Sequence, residues 1–248
     1  MRYLAYLGYL CCALLVLAAC SIPATKQLVT ADAPAGPYAC LNQPLPPAHD
    51  QVNITGTVAD PYTGNAIAGA TVDGYLGSAT TAILDVPTGS DGAFAAQRGT
   101  GGVAQDFHFS ATSDAYETTD FYPAVAVWRD LDIQFQLLTT TDLQSLAGVA
   151  DVAIDESMAQ LVVSVTDCNG NPVAGATVST DPAGTVRYLV DAAPSAGATS
   201  TDGMTGSALV FNVAPSTTSI MASAGGMALR THSVLALAGT LTQTEIQP

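Results

Sequence analysis

The sequence predicts an all-β protein that contains two related β-sandwich domains in tandem. Short runs of β-branched residues are bounded throughout by Gly, Asn, Asp and Pro, which is typical of strands joined by turns. Apolar residues rarely keep the spacing of a helix over a long segment. A turn-and-strand motif also occurs twice, with its final valines at Val72 and Val178. The duplication indicates two copies of one folding unit.

Composition and charge exclude several kinds of partner. The chain of 248 residues is long enough for one large domain or two small ones. It carries 21 acidic residues against 6 Lys and Arg, for a net charge of −15. This balance removes the electrostatic attraction that nucleic-acid binding needs, and it supplies no basic patch for anionic lipid headgroups. We therefore expect no nucleic-acid partner.

Residues 1–19 have the layout of a secretory signal. Arg2 precedes an uncharged apolar run over residues 4–19, which is slightly short for a transmembrane helix. The letters LAAC at residues 17–20 resemble the lipobox of bacterial lipoproteins. The resemblance implies cleavage before Cys20, a thioether to diacylglycerol on its sulfur, and acylation of the freed amino group, as by palmitate. An uncleaved helix and an ordinary secretory signal with a chance cysteine are the alternatives.

The same resemblance places the protein in the cell envelope, held to membrane lipid through acylated Cys20. Buried acyl chains stabilise such an anchor by about 0.8 kcal/mol per methylene. Ser21 is not the aspartate that retains lipoproteins at the inner membrane, so the outer membrane is expected in a cell with two membranes. Residues 20–50 then form a flexible or extended tether, because six prolines fall between Ser21 and Asp50 and apolar periodicity is weak.

The duplicated motif begins with an aspartate turn in each copy. The letters DPYTGNAIAGATV start at Asp60, and DCNGNPVAGATV start at Asp167. Asp and Asn side chains cap tight turns, and a glycine in each copy supplies a positive φ. An alternating strand precedes each copy, and Asp-Gly turns follow at residues 91–92 and 202–203, which we align with each other. This spacing predicts about seven strands per copy.

These motifs resemble the carboxypeptidase regulatory-like domain, a transthyretin-like and Ig-like β-sandwich. The resemblance covers residues 51–138 and, more loosely, residues 159–248, which are the two predicted domains. In that family the module is generally an accessory, non-catalytic one. Residues 139–158 form the linker, and residues 141–143 are expected to cap one short helix there. One side of that helix comprises Leu143, Leu146 and Ala147.

Cys40 and Cys168 remain once the cysteines of the signal and the lipid acceptor are set aside. Two such thiols in an oxidising compartment are expected to form a disulfide. The bond would close a loop of about 130 residues and hold the tether against the second domain. Two free thiols, or pairing with another protein, are the alternatives.

The sequence offers few residues for catalysis or metal binding. Its three histidines are His49 in the tether, His108, and His232 in a strand expected to be exposed. Residues 106–109 (DFHF) resemble the His-x-His-Phe strand that binds iron in intradiol dioxygenases. However, the first histidine is replaced by aspartate and no tyrosine lies in residues 93–98. We therefore expect no cofactor, no metal and no enzymatic activity, and a strand whose phenylalanines face the core.

Large aromatic side chains are concentrated in the first domain. Tyr116, Phe121, Tyr122 and Trp128 fall in its later strands and loops, where sandwich proteins place ligand sites. They are candidates for a platform that stacks on a sugar or a peptide. The alternative is that they fill the core, since large aromatic side chains dominate core burial.

Together these features predict a membrane-anchored, non-catalytic lipoprotein that acts as a spacer or as a binding module for protein or glycan. The runner-up is an envelope receptor or carrier for a small ligand, bound by the aromatic residues of the first domain. A metal-dependent enzyme related to dioxygenase-type sandwiches is the third hypothesis.

Overall fold

The computed structural model describes residues 36–248. The predicted signal peptide, the predicted lipid acceptor Cys20 and the first part of the predicted tether lie outside the described residues. The described residues form sixteen strands and one short helix, which confirms the all-β prediction. In this part of the chain, no helix has the length and apolar character needed to cross a membrane.

The strands are numbered in chain order. Those before the helix are β1 (Gln51–Ala59), β2 (Thr71–Leu76), β3 (Leu84–Pro87), β4 (Ala93–Gly99), β5 (Phe107–Thr112), β6 (Thr118–Tyr122) and β7 (Leu131–Gln136). The helix is α1 (Thr140–Val149). Those after it are β8 (Ala159–Val165), β9 (Thr177–Asp181), β10 (Thr185–Val190), β11 (Ala193–Ser195), β12 (Ser207–Val213), β13 (Ser216–Ala224), β14 (Met227–Ala228), β15 (His232–Ala236) and β16 (Thr240–Ile246).

Two β-sandwiches are built from these strands. In the first sandwich, the sheet β4-β1-β7 packs on β6-β5-β2-β3. In the second, β11-β10-β12-β8-β16 packs on a sheet formed by β9, β13, β14 and β15. Alternate residues of each strand enter a core, as the period of a strand requires. The first core includes Ile54 and Phe109, and the second includes Leu161 and Ile220.

One nine-stranded sheet runs through both sandwiches. Strand β16 is parallel to β8 on one side and parallel to β6 on the other. Its register places Thr244 opposite Tyr122 of β6 and opposite Val163 of β8. The Thr244 Oγ1 hydroxyl also donates to the Tyr122 carbonyl oxygen at 3.0 Å. Backbone hydrogen bonds therefore fix the orientation of one sandwich relative to the other.

The sequence repeat is also a repeat of hydrogen bonds. The Asp60 carboxylate accepts from two backbone N–H groups of its own turn, at 2.8 and 3.0 Å. The Asp167 carboxylate accepts from two N–H groups of its turn, at 2.8 Å each. Each aspartate therefore caps its turn through its own side chain, as the motif predicts.

A buried threonine closes the next turn of each copy. The Thr88 Oγ1 hydroxyl donates to the Ile67 carbonyl oxygen at 2.7 Å and accepts from the Ala70 N–H at 2.9 Å. Thr201 makes the corresponding two bonds in the second sandwich, at 2.6 and 2.9 Å. Thr88 and Thr201 are therefore structural equivalents.

The predicted alignment of residues 91–92 with residues 202–203 is wrong. The Gly92 carbonyl oxygen accepts from β1 at 2.9 Å, and the Gly206 carbonyl oxygen accepts from β8 at 2.8 Å. Both glycines have a positive φ, of 72° and 62°. Gly206 is thus the counterpart of Gly92, because the turn of the second copy is one residue longer.

The linker helix α1 covers the outer face of the second sandwich. Its N-cap is Thr139, which forms a capping box with Asp142. The predicted cap at residues 141–143 is therefore placed slightly too late. Leu143 and Ala147 are buried against apolar side chains of β8, β12 and β16, so the linker is packed against the sheet.

The expected disulfide between Cys40 and Cys168 is present. It joins the tether to the first turn of the second sandwich, across a sequence separation of 128. The Cys168 N–H also donates to the Pro37 carbonyl oxygen at 2.9 Å. Further along, the His49 N–H donates to the Trp128 carbonyl oxygen at 2.9 Å. The described part of the tether is therefore attached to both sandwiches.

Replacing both cysteines by serine is expected to lower the free energy of unfolding by up to about 5 kcal/mol, because the bond restricts the unfolded chain. Thermal unfolding of the Cys40→Ser/Cys168→Ser variant and the parent measures the effect. A reductant should destabilise the parent and leave the double variant unchanged. Equal melting temperatures for the two proteins would contradict the prediction.

Candidate functional site

A groove of about 450 Å³ lies where the two sandwiches meet. Its floor is the outer face of β2, β5 and β6, and its opposite wall comes from β15 of the second sandwich. The pairing of β16 with β6 brings this wall over the floor. The volume is within the usual range for small-molecule sites.

Strand alternation decides which side chains face the groove. In β5, Phe107 and Phe109 are 2% and 1% exposed and enter the first core, as the sequence predicts. His108 and Ser110 therefore face the other way, into the groove. The same alternation in β2 and β6 turns their polar residues towards the groove.

Three rings form a stack across the groove floor, the Tyr75–His108–Tyr122 ladder. Tyr75 and His108 are paired across β2 and β5, with ring centroids 4.8 Å apart and planes inclined by 10°. His108 and Tyr122 stack at 5.0 Å and 7°. These separations match the spacing of neighbouring strands. Both faces of the imidazole are therefore covered.

The imidazole of His108 has one nitrogen without a hydrogen-bond partner. Nδ1 is buried and makes no hydrogen bond, while the ring is hydrogen-bonded to the Gly77 backbone. Burial lowers the pKa of His108, and the charges of Asp120 and Asp106 only partly oppose this effect. In the neutral ring that results, the nitrogen bonded to Gly77 is the donor and Nδ1 is an acceptor.

Asp120 of β6 is the buried carboxyl group of the groove floor. It is 7% exposed, and burial raises its pKa above the ordinary value of 3.8. The hydrogen bond from Ser110 and the neighbouring His108 act in the opposite direction and favour the carboxylate. Transferring such a group from water into a protein is unfavourable unless a charge or hydrogen bonds compensate.

Tyr122 connects the floor of the groove to its opposite wall. Its hydroxyl is hydrogen-bonded to the backbone of Leu235, in β15. Burial, and then the charge of Asp120, raise the pKa of Tyr122 to about 12. The residue therefore remains a neutral phenol at physiological pH.

The two sides of the groove differ in polarity. The wall presents the apolar side chains of Leu235 and Leu237. The floor presents the carboxyl groups of Asp106 and Asp120, and no Lys or Arg is among the residues that line the groove. A molecule in the groove would therefore contact an acidic surface on one side and an apolar surface on the other.

His232 lies beside the groove. It was predicted to lie in an exposed strand, but it is not exposed. Its Nε2 atom is buried and has no hydrogen-bond partner. Burial lowers the pKa of His232, and the charge of Asp106 opposes the effect. The reason for the difference is that β15 packs beside the first sandwich, which a single strand pattern does not reveal.

The predicted aromatic platform is not assembled. Phe121 is 4% exposed and lies in the first core, because it alternates with Tyr122 along β6. Tyr116 packs against the same core, and its hydroxyl lies 3.3 Å from an Asp60 carboxylate oxygen. Trp128 contacts the ring of His49 instead. Of the four candidates, Tyr122 alone lines the groove.

Sequence reasoning missed Tyr75 and Asp120 as groove residues. The sequence does indicate them indirectly, because polar residues alternate with apolar ones in both strands. The polar positions are Asp73 and Tyr75 in β2, and Asp120 and Tyr122 in β6. The pattern shows that these residues share a face of their own strand. It does not show that β2, β5 and β6 place them side by side around His108.

The described residues include no group of three or more His, Cys, Asp or Glu side chains arranged to hold a metal ion. Comparison with protein families finds no matching family model, and comparison with curated proteins finds no match either.

Several solved structures are similar to parts of the chain. A DUF3823 family protein from Parabacteroides merdae has 14% identity and a TM-score of 0.27, over 36% of this chain and 46% of that chain. Chlorocatechol 1,2-dioxygenase from Pseudomonas putida has 19% identity and a TM-score of 0.28, over 47% and 71%. A type II cohesin-X-dockerin complex from Acetivibrio cellulolyticus has 18% identity and a TM-score of 0.27, over 42% and 61%. The chain thus spans less than half of the length of the first of these.

Asp120→Asn is expected to stabilise the protein at neutral pH. Because burial raises the pKa of Asp120, the folded state binds this proton more tightly than the unfolded state does. Stability is therefore lost as the pH rises from 3.8 through the folded-state pKa. The variant should melt at a higher temperature than the parent at neutral pH, by about 2–4 °C for each kcal/mol, and the two should converge at about pH 3.

Thermal unfolding across this pH range measures the difference. Asp114→Asn is the matched control, because Asp114 is exposed in the turn after β5, and it should leave the melting temperature unchanged. An Asp120→Asn variant that melts below the parent at neutral pH would refute the interpretation.

Proposed function

We propose that this chain is a non-catalytic binding protein of the bacterial cell envelope, anchored by lipid on Cys20, that holds a small ligand in the groove between its sandwiches. One observation carries the proposal. On the groove floor, His108 Nδ1 is buried without a partner and the Asp120 carboxyl group is buried as well. Buried polar groups are normally satisfied within a protein, and a ligand donor in the groove would add to the hydrogen bond that the Asp120 carboxylate accepts from Ser110.

The envelope location is supported by the lipobox at residues 17–20 and by the disulfide. Cys40 and Cys168 are bonded, and disulfides persist in oxidising compartments outside the cytoplasm. The resemblance of the duplicated motif to carboxypeptidase regulatory-like domains, which are accessory modules, supports the non-catalytic assignment.

A spacer, or a binding module for protein or glycan, is the second candidate function. The nine-stranded sheet joins both sandwiches through backbone hydrogen bonds, and a unit of fixed shape suits a spacer. We favour ligand binding because a spacer has no use for a buried carboxyl group. A metal-dependent enzyme has the weakest support, since Asp106 stands in place of the first histidine of the dioxygenase motif.

The lipid anchor is tested by labelling cells with radioactive palmitate. The label is expected in the parent protein and not in Cys20→Ala, because the acceptor thiol is then missing. Ser21→Ala is the matched control and should still be labelled. An unlabelled parent that retains residues 1–19 would rule out the anchor.

Ligand binding in the groove is tested with a panel of small sugars, carboxylates and amines, followed by amide chemical shifts. At least one class is expected to shift the amides of Gly77 and Ser110 in the parent. Ser233→Trp should abolish the shifts, because Ser233 is exposed and lines the groove. Ser90→Trp, in an exposed turn away from the groove, is the matched control and should preserve them. Shifts absent from the parent, or retained in Ser233→Trp, would argue against the groove as a site.

A further inference from the structure

The charged groups of the groove floor, and the one imidazole nitrogen without a partner, are hydrogen-bond acceptors. His108 Nδ1 carries a lone pair and no proton, since the other nitrogen is bonded to Gly77. The Asp120 carboxylate accepts only, and one of its bonds comes from Ser110. Asp106 adds a second carboxylate to the lining. A ligand that satisfies this floor must therefore bring hydrogen-bond donors.

The charge of the groove lining restricts the class of ligand further. The groove lining contains Asp106 and Asp120 but no Lys or Arg, and the whole chain has a net charge of −15. An anion would be repelled by both carboxylates. A neutral sugar would supply donors but leave the Asp120 charge uncompensated, and it would find the faces of the His108 ring already covered. A cation that carries N–H groups both supplies hydrogen-bond donors and compensates the charge of Asp120.

The opposite wall sets the shape of the cation. Leu235 and Leu237 face the acidic floor across the groove, and they are 42% and 41% exposed. Covering such side chains with an apolar segment is favourable. A strongly hydrated inorganic ion has no such segment, whereas a protonated amine on a hydrocarbon chain does.

We infer that the groove selects a primary alkylammonium, with its charged nitrogen at the Asp120 carboxylate and its methylene chain against Leu235 and Leu237. This inference rests on the proposed function and names the ligand class of the same groove. The ammonium group has three donors and no acceptor, which complements the floor. The hydrocarbon chain complements the wall.

The pH dependence of binding follows from the groups around the site. The titratable groups are Asp73 and Tyr75 on β2, Asp85 on β3, Asp106 and His108 at β5, Asp120 and Tyr122 on β6, and His232 on β15. Acidification neutralises the carboxylates or adds positive charge to the imidazoles, and either change opposes a bound cation. Affinity should therefore fall as the pH is lowered from neutral towards about 4.

The test is calorimetric titration of the full chain with 1-aminopentane, with pentan-1-ol as the neutral match and pentanoate as the anionic match. The amine is expected to bind, and the neutral and anionic control compounds are expected not to bind. Asp120→Asn should weaken amine binding by roughly tenfold or more, because a hydrogen bond to a charged group is lost. Asp114→Asn is the control and should bind as the parent does.

The outcomes separate this inference from the proposed function. If sugars or carboxylates bind in the groove and the amine does not, the inference falls and the proposed function stands. If no compound shifts the groove amides, both fall. Amine binding that survives in Asp120→Asn or in Ser233→Trp would be non-specific and would overturn the inference, whereas its loss in both variants would support it.

Discussion

The groove depends on β16, which is hydrogen-bonded along both of its edges. Its pairing with β8 completes the second sandwich, and its pairing with β6 attaches that sandwich to the first. Because both ladders are parallel and in fixed register, β15 is held over the outer face of β5 and β6. Without this strand the ladder of three rings would face solvent, and the burial that shifts the pKa values of His108 and Asp120 would be lost.

Strands β5 and β6 contribute side chains both to the first core and to the groove floor. They can do so because successive side chains of a strand point to opposite faces of the sheet. On one face, Phe109 and Phe121 fill the first core. On the other, Asp120 is buried and His108 is half-buried, on the face that the second sandwich approaches. The core face stabilises the fold, and the groove face reduces that stability through desolvation. Such a division is usual where a scaffold carries a binding site.

Local interactions were predictable from the sequence and the relation between the sandwiches was not. The turns capped by Asp60 and Asp167 follow from residues a few positions apart, and the single pair of cysteines outside the predicted signal and lipobox indicates one disulfide. The pairing of β16 with β6 leaves no local pattern, because a threonine-rich strand fits either neighbour. The groove could therefore not be predicted from the sequence. Phe121 and Tyr122 are neighbours in sequence and were both predicted to belong to the aromatic platform, but their side chains lie on opposite faces of β6.

The disulfide also determines where mechanical force enters the molecule. Cys40 is bonded to Cys168, and its Sγ atom lies 3.6 Å from the Pro248 carbonyl oxygen just beyond β16. Tension along the tether would reach the second sandwich through a covalent cross-link and pass into β8 and β16. Under the proposed anchoring, tension on Cys40 would be shared between the second sandwich and residues 41–50, instead of passing to the first sandwich alone.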